Sequence, residues 1–275
     1  MSTKDVMIDT EALRQKYSPE GSPLRELQKK LLDEVLFLEK VCKENNLTYF
    51  LAGGSALGAV RHQGFIPWDD DLDIALPEKD YKKLVLILRK MDLQQYILHD
   101  HYSDFNYICG FPKFREREGN FLGSLPERGK LYKYKGAGVD IFCMARNSHA
   151  RAYVCAKLRV LLLHYMYKIK NDRLREIVTR FQWIVYRFLV LLTWPLNVFR
   201  KKGELHDGLG QGFSHQYMWE QELYPVTMGQ FESRLFPIPK DADAYLTHLY
   251  GNWRQVPSEE EIQRTIHNSD FKQGN

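Results

Sequence analysis

GFIPWDDDLDIAL, residues 64–76, sets four carboxylates, Asp69, Asp70, Asp71 and Asp73, directly against an apolar strand signal. Like charges so close together repel, so the arrangement needs a reason. If residues 70–76 are extended, side chains alternate: Asp71 and Asp73 share one face with Ala75, while Leu72, Ile74 and Leu76 point into a core. At a strand rise of roughly 3.3 Å the two carboxylates stand about 6.6 Å apart at the backbone, within reach of one hard cation such as Mg²⁺ or Mn²⁺. A helix would scatter them around its circumference. The run taken alone also reads as a solvated acidic turn ahead of a strand.

Working outward, Leu24, Leu27, Leu31, Val35, Leu38 and Cys42 recur at helical spacing, and Asn45-Asn46 supplies a stop. Residues 48–52 read as a strand that breaks at Gly53-Gly54, and SALGAVRH (55–62) opens a second helix with Ser55 at or near its cap. After the acidic strand, Pro77 begins a helix whose stripe is Tyr81, Leu84, Val85, Leu88 and Met91. Weaker strands are expected at 96–99, 107–114 and 131–134, and a stronger one at 138–142. Strands and helices mix without a steady βαβ alternation, which makes the fold class α+β, a mixed sheet core with flanking helices.

Beyond Arg146 the chain turns helical. Val154, Leu158, Leu161, Leu162, Tyr165 and Ile169 form one expected stripe, and FQWIVYRFLVLLTWPLNVF (181–199) is apolar on nearly every side. Gln182, Arg187 and Pro195 argue against a membrane span, leaving a buried core helix as the first reading and a membrane-surface or partner-binding helix as the second. The basic residues scattered through 150–202 favour peripheral membrane contact, although solvated helix faces look similar. The expected organisation is an extension (1–23), a catalytic core (24–146) and a mostly helical C-terminal region (147–275) that completes one domain.

A 39 to 35 balance of Lys plus Arg over Asp plus Glu is too mild to indicate nucleic-acid binding. Cys42, Cys109, Cys143 and Cys155 show neither a CxxC pair nor metal-knuckle spacing, and the first residues are charged throughout rather than apolar like a secretory signal. Both features fit a cytoplasmic protein with free thiols, at most peripheral at the inner face of the membrane.

Three short pieces together carry more than any one. Gly53-Gly54-Ser55 at a strand-to-helix turn lets backbone N–H groups approach a phosphate, with favourable partial charge from the helix N-terminus. Asp71 and Asp73 hold a divalent ion on that phosphate. Asp140, inside the later apolar strand, completes the metal site or accepts a proton from an attacking hydroxyl. Arg61 and His62 follow the glycine-led helix, and Lys113 and Arg115 alternate onto one strand face where they could oppose a diphosphate. Taken singly, the diglycine is an ordinary turn, Asp140 a buried strand Asp and each cation a solvated side chain. Trp68 either stacks on a base or sugar or packs at the rim.

LAGGSALGAVRHQGFIPWDDDLDIAL (51–76) closely resembles the core signature of the LicD family, within the nucleotidyltransferase superfamily that also includes fukutin-like sugar-modifying enzymes. Lys113 and Arg115 in GFPKFRE, the GVDIF strand and PIPKDADAYLTHLYGNWRQVP, ending near His267, extend the resemblance over about residues 24–267; in EGNFLGSLPERGK (118–130), Asn120 stands where the family pattern usually has Thr. The resemblance implies a nucleotidyltransferase-like core and metal-dependent transfer of a phosphorylated small alcohol, typically phosphocholine from CDP-choline, to a hydroxyl of a cell-surface glycan precursor. It adds weight to Lys113 and Arg115 as donor-binding residues. A nucleotidyltransferase that leaves a nucleoside monophosphate on its acceptor would use the same metal site, and a non-catalytic glycan-binding relative would be expected to have lost a carboxylate.

Overall fold

The computed structural model describes residues 9–119, 129–208 and 218–266; Asn120 and His267 lie outside them. Along the chain come α1 (Thr10–Tyr17), α2 (Pro23–Glu44), β1 (Phe50–Leu51), α3 (Gly53–His62), β2 (Asp73–Pro77), α4 (Glu78–Lys90), β3 (Tyr96–His99), β4 (Lys113–Glu116) and β5 (Gly138–Ala145). They are followed by α5 (His149–Leu163), α6 (Asp172–Leu192), β6 (Glu204–Asp207), β7 (Met218–Trp219), α7 (Glu220–Leu223), β8 (Thr227–Phe231), β9 (Arg234–Ile238), α8 (Ala242–Tyr250) and α9 (Glu259–Thr265). The class is α+β.

The long α2 forms where the sequence predicts it. Ser22 caps it by accepting the Arg25 N–H, Pro23 occupies the first turn, and Leu24, Leu27, Leu31, Val35, Leu38 and Cys42 are all buried. These residues join Leu84 and Leu88 of α4 and Leu72, Ile74, Leu76, Val139 and Ile141 in one core beneath the sheet. The opposite face is also covered: Phe50, Ala75, Phe142 and Met144 pack with Ala56 and Leu57 of α3 and Tyr245, Leu246 and Leu249 of α8. Burial on both faces explains why β2 and β5 are almost continuously apolar once their leading acids are passed.

The sheet runs β1-β2-β5-β4-β3, with β2 and β5 parallel and the other neighbours along that path antiparallel. β6 pairs with the far end of β5, and β7 with β6. The hairpin β8–β9 packs against α3 and β1. Register is what positions the site. Asp73 pairs with Asp140, Asp140 with Lys113, and Lys113 with His99, placing four polar side chains in one row across β2, β5, β4 and β3.

Some expectations shift. β2 begins at Asp73, and residues 69–72 form an irregular lead-in where strand had been expected from residue 70. The strand expected at 107–114 is confined to Lys113–Glu116, and 131–134 contains no strand, only the end of a short 3-10 turn at Gly129–Leu131. The extension contributes α1, whose end residue Tyr17 packs edge-on to Trp68 at 5.5 Å between ring centroids. Trp68 is therefore a packing residue, buried against Tyr17 and His62.

On α5 the buried side chains are Arg151, Ala152, Cys155 and Leu163, whereas Leu161 of the expected stripe is 73% exposed. The departure has a polar cause. Arg151 is held inside by Asn147 Oδ1, Thr193 Oγ1 and the Val190 carbonyl, which turns α5 away from its most apolar side. The reading of 181–199 as a buried core helix is also overturned. Of that stretch of α6 Trp183 and Tyr186 are buried in a small core with Ile108 and Leu163, Val190 packs partly buried against it, and a 3-10 turn, Trp194–Phe199, starts where Pro195 ends the helix. Among the described residues no helix is long and apolar enough to cross a membrane.

Glu34, on the core side of α2, gives the first prediction. It is 1% exposed and accepts the Glu116 N–H at 3.2 Å. Burial, with Glu116 adding repulsion, pushes its carboxyl up to about 8. A raised carboxyl is protonated more readily in the native state than in the unfolded chain. Its contribution is therefore complete below the ordinary value of 4.5 and is lost as the pH rises through 8. Glu34→Gln, neutral throughout, is expected to match wild type near pH 5 within about 1 kcal/mol and to exceed it by a few kcal/mol near pH 9. Urea unfolding at both pH values reads this, and identical pH dependence for the two proteins would refute it.

Candidate active site

The row of polar residues crosses the sheet at the first residues of β2 and β4, Asp73 and Lys113, and at Asp140, the third residue of β5. Asp73 and Asp140 are each 6% exposed, and Lys113 Nζ forms an ion pair with Asp140 Oδ1. Burial, then the charges of Asp71 and Asp140, raises the Asp73 carboxyl well above the usual carboxylate range, with Lys113 pulling the other way. Burial likewise raises Asp140, countered by Lys113 and Arg115. On Lys113 burial opposes the charge, but Asp140 and Asp71 outweigh it and hold the ammonium above its ordinary value.

Ahead of β2, Asp69, Asp70 and Asp71 each offer a carboxylate oxygen, and these oxygens lie within 4.8 Å of one another. Asp69 is raised well above its usual range by burial and by the charges of Asp71 and Asp70. Hard oxygen donors so crowded that Asp71 and Asp70 disfavour the charge on Asp69 are the donor chemistry of a divalent cation such as Mg²⁺ or Mn²⁺. By that test the residues present fit the metal. The set that meets most closely thus contains Asp71 of the sequence reading but adds Asp69 and Asp70. Asp73 and Asp140 stand next to it across the sheet.

The local chain is arranged to present this turn. Gln28, buried in α2, donates to the Asp69 carbonyl at 3.0 Å, and the Asp69 N–H donates to the Ile66 carbonyl. The diglycine has two jobs here. Gly53 adopts φ +51°, a left-handed conformation that glycine takes without the cost of a Cβ, and its N–H donates to Tyr245 Oη at 2.9 Å. At Gly54 a Cβ would stand 2.9 Å from Asp69 Oδ2, so glycine lets that carboxylate lie against the helix backbone. Ser55 lies inside α3, not at its cap; the residue before the helix is Ala52, and Ser55 Oγ accepts the Asp73 N–H at 2.8 Å. Ser55 thus fixes the first residue of β2.

The remaining cations divide. Lys113 reaches the acids. Arg115, two residues on along the same strand, donates to the carbonyls of Gly136 and Tyr134 and ties down the segment before β5. Arg61 donates to the carbonyls of Trp253 and Gln255, joining α3 to the chain after α8, and burial lowers its guanidinium to about 10. Asp69 and Tyr250 nevertheless act on its charge, so it borders the acidic turn.

Two residues of α8 belong to the site although sequence reasoning did not single them out. Tyr245 receives Gly53, and burial, Tyr245 and the charges of Asp73, Asp69 and Asp71 together keep the Tyr250 hydroxyl protonated. Their signal was the segment AYLTHLYGNW, whose two tyrosines at i and i+5 carry no local hint of a partner nearly 200 residues away.

The family model described as LicD/FKTN/FKRP, nucleotidyltransferase domain, matches residues 46–149, the stretch from β1 through β5 that carries the glycines, the acidic turn, Lys113 and Asp140. Lipopolysaccharide cholinephosphotransferase LicD of Haemophilus influenzae is 25% identical over 260 residues, covering 86% of this chain and 94% of that protein. Uncharacterized proteins of Rickettsia prowazekii and Rickettsia typhi are 30% and 57% identical over 118 residues, each spanning 36% of this chain and 44% and 37% of their own length. Residues 46–149 match a nucleotidyltransferase domain of the LicD/FKTN/FKRP type, and over most of its length the chain is similar to a LicD protein.

Proposed function

We propose that the protein transfers phosphocholine from CDP-choline to a hydroxyl of a cell-surface glycan precursor, releasing CMP. The observation that carries the reading is the buried row Asp73–Asp140–Lys113 beside the acidic turn Asp69–Asp71. The similarity to a lipopolysaccharide cholinephosphotransferase supports the choice of group and acceptor class. A divalent cation bound by the acidic turn and Asp73 would offset the negative charge of the diphosphate and lower the repulsion an entering oxygen meets.

The chain's own residues then divide the work. Asp140, with Lys113 countering the effect of burial, takes the proton of the acceptor hydroxyl as that oxygen bonds to the choline-bearing phosphorus. The bond from that phosphorus to the bridging oxygen breaks, and CMP leaves with the electron pair. Lys113, near Asp71 as well as Asp140, keeps positive charge beside the forming oxyanion. Gly54 and Ser55 hold Asp69 and Asp73 in place, and Tyr250 offers a neutral donor at the edge of the cluster. Cys42, Cys109, Cys143 and Cys155 form no disulfide among the described residues, which suits a cytoplasmic location.

The test is product analysis. With Mg²⁺, a crude glycan-lipid acceptor and a panel of activated alcohols, CMP is expected from CDP-choline in preference to CDP-ethanolamine, CDP-glycerol and CDP-ribitol. Preference for a polyol donor would refute choline and keep the mechanism. Pyrophosphate released from a nucleoside triphosphate would instead identify a nucleotidyl transfer.

A further inference from the structure

The outward face of α6 is apolar. The helix buries Arg175, Thr179, Trp183 and Tyr186, while Leu174, Ile177, Phe181, Ile184, Phe188 and Leu191 on the opposite side are 52–69% exposed. A helix on a water-facing surface carries polar residues there. The stripe continues past the helix end into Trp194, Val198 and Phe199, each at least 67% exposed. Of the 20 exposed large hydrophobic residues among those described, 14 fall between residues 153 and 199, so the exposure is one patch and not a scatter.

Charge says what covers it. Residues 150–202 hold twelve Lys and Arg against two acids, while the whole chain holds 39 against 35, so the rest of the molecule has more acid than base. Arg173, Arg180 and Arg187 each precede a residue of the apolar stripe and sit about 100° round the helix from it, along one flank. Arg200, Lys201 and Lys202 follow Phe199 and are exposed. The two acids, Asp172 and Glu176, are already paired with Arg175 and Arg180 of the same helix.

We propose that this face docks on an anionic lipid surface, with α6 lying in the plane of the headgroups, its apolar stripe inserted and its basic flank on lipid phosphates. A symmetric pairing with a second copy would set basic flank near basic flank with no free acid in the segment to answer it. A span is excluded by the lack of any sufficiently long apolar helix among the described residues. Helix α6 is joined to the acidic site by its packing. His101 stacks on Trp183 at 4.2 Å and Tyr102 Oη accepts from Arg187, both on the loop that leaves β3 at His99 and enters β4 at Lys113. The inference rests on this surface alone and stands whatever the transferred group.

Co-sedimentation of the full chain with phosphatidylcholine vesicles, with and without phosphatidylglycerol, tests it. At low ionic strength the chain is expected to pellet with the anionic vesicles, to remain in solution with the zwitterionic ones, and to be released by added salt. Neutralising Arg173, Arg200 and Lys202 as Gln should weaken partition about fivefold per charge. Ile184→Glu with Phe188→Glu should abolish binding while the melting curve is kept, since both side chains are exposed. Recovery of wild type in the supernatant with anionic vesicles would overturn the proposal, as would binding insensitive to salt and lipid charge. So would a wild-type dimer that fails to bind vesicles and that the double variant converts to monomer.

Discussion

Asp73→Asn and Asp140→Asn should each lower turnover at least about a hundredfold, and Asp73→Asn should leave the melting temperature unchanged or raised. The substitution keeps the volume of the side chain and removes one charge. At Asp73 that charge is surrounded by burial, Asp71 and Asp140, all of which disfavour it, so the fold is relieved rather than weakened when it goes. An active-site carboxylate differs from a structural one in this respect: a structural one would lose stability and activity together. At Asp140 the variant loses the proposed proton acceptor and leaves Lys113 without its ion-pair partner, so the relief expected at Asp73 is not expected there. The two variants separate further in donor binding. Calorimetric titration with CDP-choline should still show binding to the Asp140 variant if that residue acts on the proton, and no binding if it serves only to hold metal. Wild-type turnover in either protein would remove the row from the mechanism.

The elements built from local signals were legible. The stripe of α2, the strand Tyr96–His99 and the apolar run of β5 follow from periodicity alone, and the acidic run announced both β2 and the site. What escaped depends on pairing across long separations. β6 and β7 are short, and they are strands because β5 offers an edge at Met144 and Ala145. β2 starts at Asp73 because that is where β5 begins to pair with it. Ser55 read as a cap because Ser is a cap-former, but the helix starts two residues earlier, with Gly53 free to take a positive φ.

Helix α6 teaches a different lesson. Periodicity located its apolar stripe but could not say which side the protein covers. The covered side holds Arg175, bonded to Asn106 and the Ile169 carbonyl, and Thr179, while the stripe faces outward. Apolar pattern predicts burial only when the nearest apolar surface is the protein's own. In the site itself Asp71, Asp73, Asp140 and Lys113 were legible as types and spacings. The contributions of Asp69 and Tyr250 were not, since one depends on the irregular turn before β2 and the other on α8 folding back over α3.

Lys113→Met is expected to be the most destabilising single change in the site, by about 3–5 kcal/mol, because it leaves Asp140 buried without its counter-charge. The Lys113 and Asp140 side chains are 17% and 9% exposed, so water can repay little of the loss. Asp140 would then bind a proton or draw in solvent, and either outcome removes the proposed base. A double-mutant cycle isolates the pair: Lys113→Met with Asp140→Asn should recover most of the stability lost in Lys113→Met alone, because an amide can stay buried where a lone carboxylate cannot. Turnover should not recover with it. Stability returning without activity would show that the ion pair exists to keep a charged carboxylate inside the sheet, where its chemistry is needed, and that the fold has no other use for that charge. If Lys113→Met melts like wild type, the ion pair is not what secures Asp140, and the cations near the acidic turn, Arg115 and Arg61, become the groups to test.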